Sequence, residues 1–221
     1  MSTKTQYQNS FGTVITELQK NNLSEYYKLE YDLITNELKT KIHYLEENTI
    51  NEGHYFMDSL ENITDVITKI DNTHRWGIFS NFEQINGYNV WRKNYYQNGV
   101  LSNSYGKIVF NSKGEEIASI GFDADNQPSR GCSKIFNLSN KNLISDGEID
   151  GTFKNGDHII FGHKSDGSFS AWTNTELFIK PYKTLERFLE ENEGGYILNL
   201  MNQEMRDYFL NFEPFIPNFQ L

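Results

Sequence analysis

The stretch GFDADNQPSRGCSK, Gly121 to Lys134, concentrates side chains that could do chemistry. Asp123 and Asp125 stand two residues apart, with Arg130 and Cys132 close behind. Two carboxylates at that spacing suit a hard cation such as calcium, which takes oxygen ligands. Pro128 occupies the place where an EF-hand loop needs its turn glycine, and no Glu closes the loop, so that motif is excluded. Cys132 is a candidate nucleophile, because a nearby guanidinium such as Arg130 lowers the pKa of a thiol. No base accompanies it at a spacing the sequence identifies. The simpler expectation is a loop capped by its own Asp and Asn side chains and ending in a small packed cysteine.

The histidines offer less. In GTFKNGDHIIFGHKSDGSFSAW, Gly151 to Trp172, alternation along a strand places Ile159, Phe161 and His163 on one face and His158 and Ile160 on the other. His158 and His163 therefore cannot ligate one metal from that strand, and the stretch reads as a β-hairpin. His43, His54 and His74 belong to no metal-binding pattern, and His54, beside Glu52 and Gly53, reads as a first-turn residue of a helix. His158 stays with Asp123, Asp125, Arg130 and Cys132 as the residues of an alternative, ligand-binding or enzymatic reading with an aromatic-lined pocket. The chain has no GxGxxG, no GxxxxGK[ST] and no GxSxG. No cofactor, metal site or catalytic residue is expected.

The elements that must position these residues divide into three segments. Up to residue 75 the apolar spacing predicts helices. Phe11, Val14, Ile15 and Leu18 make one stripe. Tyr27, Tyr31, Ile34, Leu38, Ile42 and Leu45 make a second, with Glu37 and Lys41 as a supporting pair. Phe56, Leu60, Ile63, Ile67 and Ile70 make a third. From Trp76 to residue 180 the helical period vanishes. Turn dipeptides appear instead: Asn86-Gly87, Asn98-Gly99, Lys113-Gly114, Asp146-Gly147, Asp150-Gly151, Asn155-Gly156 and Asp166-Gly167. Such pairs favour tight hairpins because their backbones accept φ > 0 at low cost. An antiparallel meander, strongly twisted or curled into a partial barrel, is predicted there. From 181 to 221 helices return: Pro181 opens one that stops at Gly194-Gly195, and Leu198, Met201, Met205, Tyr208 and Phe212 stripe another. The tail EPFIPNFQL is apolar enough to lie on the body of the protein. The predicted class is α+β, with N-terminal helices, a central β-meander and C-terminal helices in one compact unit.

NYYQNGVL, with Tyr95, Tyr96, Asn98, Gly99 and Leu101, resembles the YYxNGxL unit of MORN-like repeats, including those of some bacterial antitoxin-like proteins. TFKNGD, with Phe153, Asn155 and Gly156, echoes it. The match covers about eight residues and keeps no fixed period, so it assigns no family.

The chain has 221 residues and a net charge of −10, enough length for a core of its own. Residues 1–75 carry 7 basic and 12 acidic side chains, 76–180 carry 10 and 11, and 181–221 carry 3 and 7, so the excess acid sits at the two ends. Direct binding to a nucleic-acid backbone is not expected without a basic surface. A basic partner protein is, through Glu46, Glu47, Glu186, Glu190, Glu191 and Glu193. The expected function is a non-enzymatic acidic binding module, an inhibitor of immunity or antitoxin type. Abundant Asn and scarce Ala read as the codon bias of an AT-rich bacterial or phage genome. One cysteine allows no internal disulfide, and no apolar run of signal-peptide or membrane-spanning length occurs, so a cytoplasmic protein away from membranes is expected.

Overall fold

The computed structural model describes residues 3–221 apart from 11, 146, 147, 155, 165 and 176–181, and leaves the side chains at 47, 129, 130, 143–145, 148–151, 192 and 193 undescribed. The chain is 47% strand and 16% helix, which overturns an α+β fold with N-terminal helices.

Its elements begin with β1 (Thr3–Gln8), β2 (Val14–Ile15), the single turn α1 (Glu17–Lys20), β3 (Tyr26–Asp32), β4 (Leu38–Leu45) and β5 (Thr49–Phe56). A second single turn, α2 (Ile63–Ile67), leads into β6 (Arg75–Ile85), β7 (Tyr88–Gln97), β8 (Val100–Phe110), β9 (Glu116–Phe122) and β10 (Pro128–Asn137). Then come the pair β11 (Asn142–Ser145) and β12 (Glu148–Thr152), followed by β13 (His158–His163) and β14 (Phe169–Thr173). The helices α3 (Leu185–Glu190), α4 (Asn192–Asn199) and α5 (Gln203–Leu210) end the chain. Twelve strands form one sheet in the order β14-β13-β10-β9-β8-β7-β6-β5-β4-β3-β1-β2. That order does not close: β2 and β14 are its ends and are not paired with each other among the described residues.

Over most of the first 75 residues strands stand where the apolar spacing predicts helices. Spacings of four are even, so Tyr27 and Tyr31 fit one face of a strand as well as one face of a helix. Residues 24–45 form the hairpin β3–β4, closed by an Asp32 carboxylate that accepts from the N–H groups of Ile34 and Thr35 at 2.7 and 3.0 Å. Asn36 takes φ 57°, and Ile34 is 92% exposed instead of lying in a helical stripe. In the third stripe Phe56 ends β5 and Leu60 is 94% exposed, while Ile63, Ile67 and Ile70 do pack inward around α2.

The turn dipeptides fare better where they are described. Asn86-Gly87 and Asn98-Gly99 have positive φ at both residues, the two-residue hairpin that joins β6 to β7 and β7 to β8. Gly114 and Gly167 take positive φ in three-residue loops closed by Asn111 N–H to Glu115 O and Lys164 N–H to Ser168 O, both at 2.9 Å. Asp150-Gly151 is not a turn but lies within β12, and Asp146-Gly147, Asn155 and Pro181 lie outside the described residues.

Two compact units make up the chain: Met1–Phe82 with Trp91–Gly106, and Glu83–Val90 with Lys107–Leu221. In the first, β5 and β6 run parallel, which requires a crossover, and the segment carrying α2 supplies it. Val66 of α2 is buried with Tyr55, Trp76, Ile78 and Tyr96, so this core covers one face of β5 to β7. Gly53 lets the Trp76 ring lie flat on β5, for a Cβ there would come within 2.4 Å of the ring. In the second unit, Phe136, Phe161, Phe188 and Phe209 pack the C-terminal helices on β10, β13 and β14.

The C-terminal helices are real but differently bounded. α3 stops at Glu190, and Gly194-Gly195 lie inside α4, where a Cβ on Gly194 would overlap the Phe188 carbonyl oxygen. The tail lies on its own unit as expected: the Tyr88 hydroxyl donates to Phe219 O at 2.6 Å, and Asn86 Nδ2 to Pro217 O at 3.0 Å.

Candidate functional site

The loop singled out in the sequence is a hairpin connection. Asp123 N–H donates to Gln127 O at 2.9 Å, and the Asp123 carboxylate accepts from the N–H groups of Asp125 and Gln127 at 2.9 and 2.8 Å. Its Oδ1 serves the backbone of the turn, with Asn126 at φ 61°. The side chain of Arg130 lies outside the described residues. His158 pairs with Asn137 at the far end of β10 from Pro128, so the structure does not bring it to that loop. Among the described residues no group of three or more His, Cys, Asp or Glu side chains is placed to hold a metal.

Cys132 sits directly opposite His163 in the β10–β13 ladder, a base the sequence did not connect with it. Both are buried, and burial pushes the Cys132 thiol up to about 11, with Glu213 adding to the rise and Lys134 opposing it. The His163 ring spends its Nε2 on the Phe209 carbonyl at 2.8 Å. Next along β10, Lys134 donates from its ammonium to the carbonyls of Tyr208, Asn211 and Pro214 at 2.7, 2.8 and 2.8 Å. His163 and Lys134 thus fasten the end of α5 and the following turn to the sheet.

Of the acidic residues, Glu46 is exposed on a 3-10 turn between β4 and β5, and Glu186, Glu190 and Glu191 are exposed on and just after α3. None of these four makes an ion pair among the described residues. The side chains of Glu47 and Glu193 lie outside the described residues.

A denser arrangement occupies the first unit, on the face of the sheet opposite α2. Alternation sends Glu52, His54 and Phe56 of β5 to this face, since Gly53 and Tyr55 turn toward α2. In register beside them stand Lys41 and His43 of β4, and Arg75, Gly77 and Phe79 of β6. Lys93 of β7 crosses Gly77, where a Cβ would meet its Cε at 2.4 Å, and ends with Nζ 3.4 Å from His54 Nε2. Arg75 pairs with the Glu52 carboxylate at 2.5 Å, and Glu52 lies 3.9 Å from the His54 ring. Lys41 holds its ammonium 4.5 Å above the Tyr27 ring, which stacks on His43 at 4.6 Å.

Aromatic rings border the charges. Phe79 meets His54 edge-on at 5.2 Å and stacks on Phe56 at 4.6 Å. Trp91 packs against Phe56 at 5.6 Å and Phe82 at 4.9 Å. Asn81, at φ 50°, shifts the alternation of β6 so that Phe82 joins the same face, 51% exposed.

The electrostatics are lopsided. Burial, with the charges of Lys93, Lys41 and Arg75 against that of Glu52, pushes His54 down to about 3, so the ring is neutral at pH 7. Burial alone would raise the Glu52 carboxyl, but the Arg75 hydrogen bond and the nearby cations hold it below its ordinary value. Burial lowers Lys41 despite Glu52. The groups whose charges act on His54 are thus three cations and one carboxylate in a chain that is acidic as a whole.

Sequence reading missed this face because its residues come from four strands, and His54 was assigned to a helix start that is in fact mid-strand in β5. A signal was present: Glu52-x-His54-x-Phe56, Arg75-x-Gly77-x-Phe79 and Trp91-x-Lys93-x-Tyr95 each alternate as strand faces do. No protein-family model, curated protein or solved structure matches this chain.

Proposed function

We propose that this protein is a non-enzymatic binding protein whose working surface is the charged and aromatic face of β4 to β7 in the first unit. One observation carries the reading: the charges of side chains from three strands, Lys41, Arg75 and Lys93, act on one neutral, mostly buried imidazole on the face opposite α2, with Lys93 directly against it. Clusters of like charge beside half-buried rings cost free energy in the empty state and are retained at binding sites for that reason. A binding role rather than catalysis is supported by the fate of Cys132, whose burial and raised pKa remove the nucleophile the sequence offered. The free cysteine accords with a cytoplasmic setting, and no helix among the described residues is long and apolar enough to cross a membrane.

The test is a thermal-shift panel of metabolites on three proteins: wild type, Lys93→Met on the face, and Lys183→Met at an exposed site elsewhere. A ligand that stabilises wild type and Lys183→Met but not Lys93→Met supports the reading. Ligands that stabilise all three alike count against it.

A second reading, docking of a basic partner protein as an inhibitor or immunity-type protein, is favoured by the exposed Glu186, Glu190 and Glu191 around exposed Leu189 on and just after α3. Its signature is association that weakens steeply with salt and with Glu186→Lys/Glu190→Lys.

A further inference from the structure

We propose that the cluster around His54 binds the dianionic phosphate of a small phosphate monoester, whose organic part lies on the rings of Trp91 and Phe82. The inference rests on the reading of this face as the binding surface and specifies what fills it.

Charge comes first. Lys41, Arg75 and Lys93 bring three positive charges to His54 and Glu52 returns one negative, which leaves an excess of two. Glu25 lies against His43 at 3.5 Å, farther along the face, and is not among the groups acting on His54. Half-buried like charges repel through a medium that screens poorly, and a dianion neutralises this excess where a carboxylate or a phosphodiester, with one charge, leaves part of it.

Donors match as well. Phosphate oxygens accept hydrogen bonds from ammonium and guanidinium groups, and the Lys93 ammonium stands 3.4 Å from His54 Nε2, with Lys41 opposite His54 in the ladder as a second cation of the same face. The Lys41 ammonium makes no ion pair among the described residues and rests on the Tyr27 ring, a contact an anion can replace or share. Gly77 gives the Lys93 side chain its path toward His54, since Lys93 lies across it at a distance no Cβ would tolerate.

The rings supply the remainder of the site. Buried Phe79 lies 5.5 Å from the Lys93 ammonium and 6.4 Å from Trp91, and Phe82, on the far side of Trp91, leaves half its surface open for a planar or apolar group. A nucleic-acid strand fits poorly, because a chain of charge −10 repels a polyanion while admitting one small dianion to a local cationic spot.

The probe is phenyl phosphate, compared with inorganic phosphate, benzoate and benzyl alcohol in phosphate-free buffer. Binding is followed by calorimetry and by the ring-proton NMR signals of His54, with His158 as the internal control. The expected result is saturable binding of phenyl phosphate that shifts His54 and not His158. Lys93→Met should weaken it by roughly tenfold or more, the scale of a charge-assisted hydrogen bond. Phe82→Ala should weaken phenyl phosphate while leaving inorganic phosphate unchanged. Absence of saturable phenyl phosphate binding below about 10 mM overturns the proposal, as does full retention in Lys93→Met. Benzoate or benzyl alcohol binding that depends on Phe82 but not on Lys93 overturns the phosphate assignment and leaves the binding face standing. If none of the four moves His54, and the thermal-shift panel finds nothing that Lys93→Met abolishes, both fall.

Discussion

Cys132 and His163 are direct partners across β10 and β13, yet the pairing is a packing arrangement and not a nucleophile–base couple. Cys132 is 2% exposed with a thiol pushed up to about 11, and His163 is committed to Phe209 O. A thiol so placed carries almost no thiolate at neutral pH. In the folded protein at pH 7.5, Cys132 should resist iodoacetamide for hours and should react promptly in urea. Labelling of the native chain at the rate of a free thiol would show that the strand pair opens or that the thiol is activated.

Lys134 is fully buried and ties three backbone carbonyls of the C-terminal segment. Lys134→Met keeps the stem and leaves those carbonyls without their donor, so it should cost about 3 kcal/mol in urea unfolding at pH 7. Burial lowers the Lys134 pKa from 10.5 to about 8, with Cys132 and Glu213 opposing the change. Between those two values the unfolded chain holds more protons than the folded one, so this group's contribution to stability rises with pH. The advantage of wild type over Lys134→Met should therefore widen from pH 8 to pH 10. A gap that narrows over that range would contradict the burial of a charged amine.

His54 works in the acid range. Folding takes its pKa from 6.5 to about 3, through burial first and then the charge of Lys93. Between these values the unfolded chain binds the proton and the folded one does not. Stability is thus lost as pH falls from about 6.5, by at most about 1.4 kcal/mol per pH unit for one proton. In phosphate-free buffer, His54→Gln should lose about 1 to 2 kcal/mol less than wild type between pH 7 and pH 5. Equal losses would show that His54 is not held neutral by its neighbours.

Gly53 and Gly77 sit on adjacent strands and face opposite sides, and they should respond differently to a methyl group. At Gly53 the Cβ would enter the buried Trp76 ring at 2.4 to 2.6 Å, and a packed indole has nowhere to move. Gly53→Ala should cost about 3 kcal/mol, the upper end for overpacking. At Gly77 the obstacle is the Lys93 stem, which can swing away. Gly77→Ala should cost under about 1 kcal/mol in thermal unfolding while displacing Lys93, and with it any anion bound there. Equal penalties would mean that Lys93 is locked in place.

What the sequence determined by itself was local. Asn86-Gly87 and Asn98-Gly99 close their hairpins as read, because the demand for positive φ at both residues is met within the dipeptide. The alternation that sets Ile159, Phe161 and His163 on one face also holds, since strand geometry fixes which residues share a face. Tertiary structure decided what local spacing left degenerate. Tyr27 and Tyr31 satisfy both periods, and only pairing with β1 and β4 makes them a strand. Lys41, His54, Arg75 and Lys93 lie up to 52 positions apart in the chain, and sheet register alone sets them side by side. No local rule encodes that neighbourhood, because it depends on which strands pair and in which register.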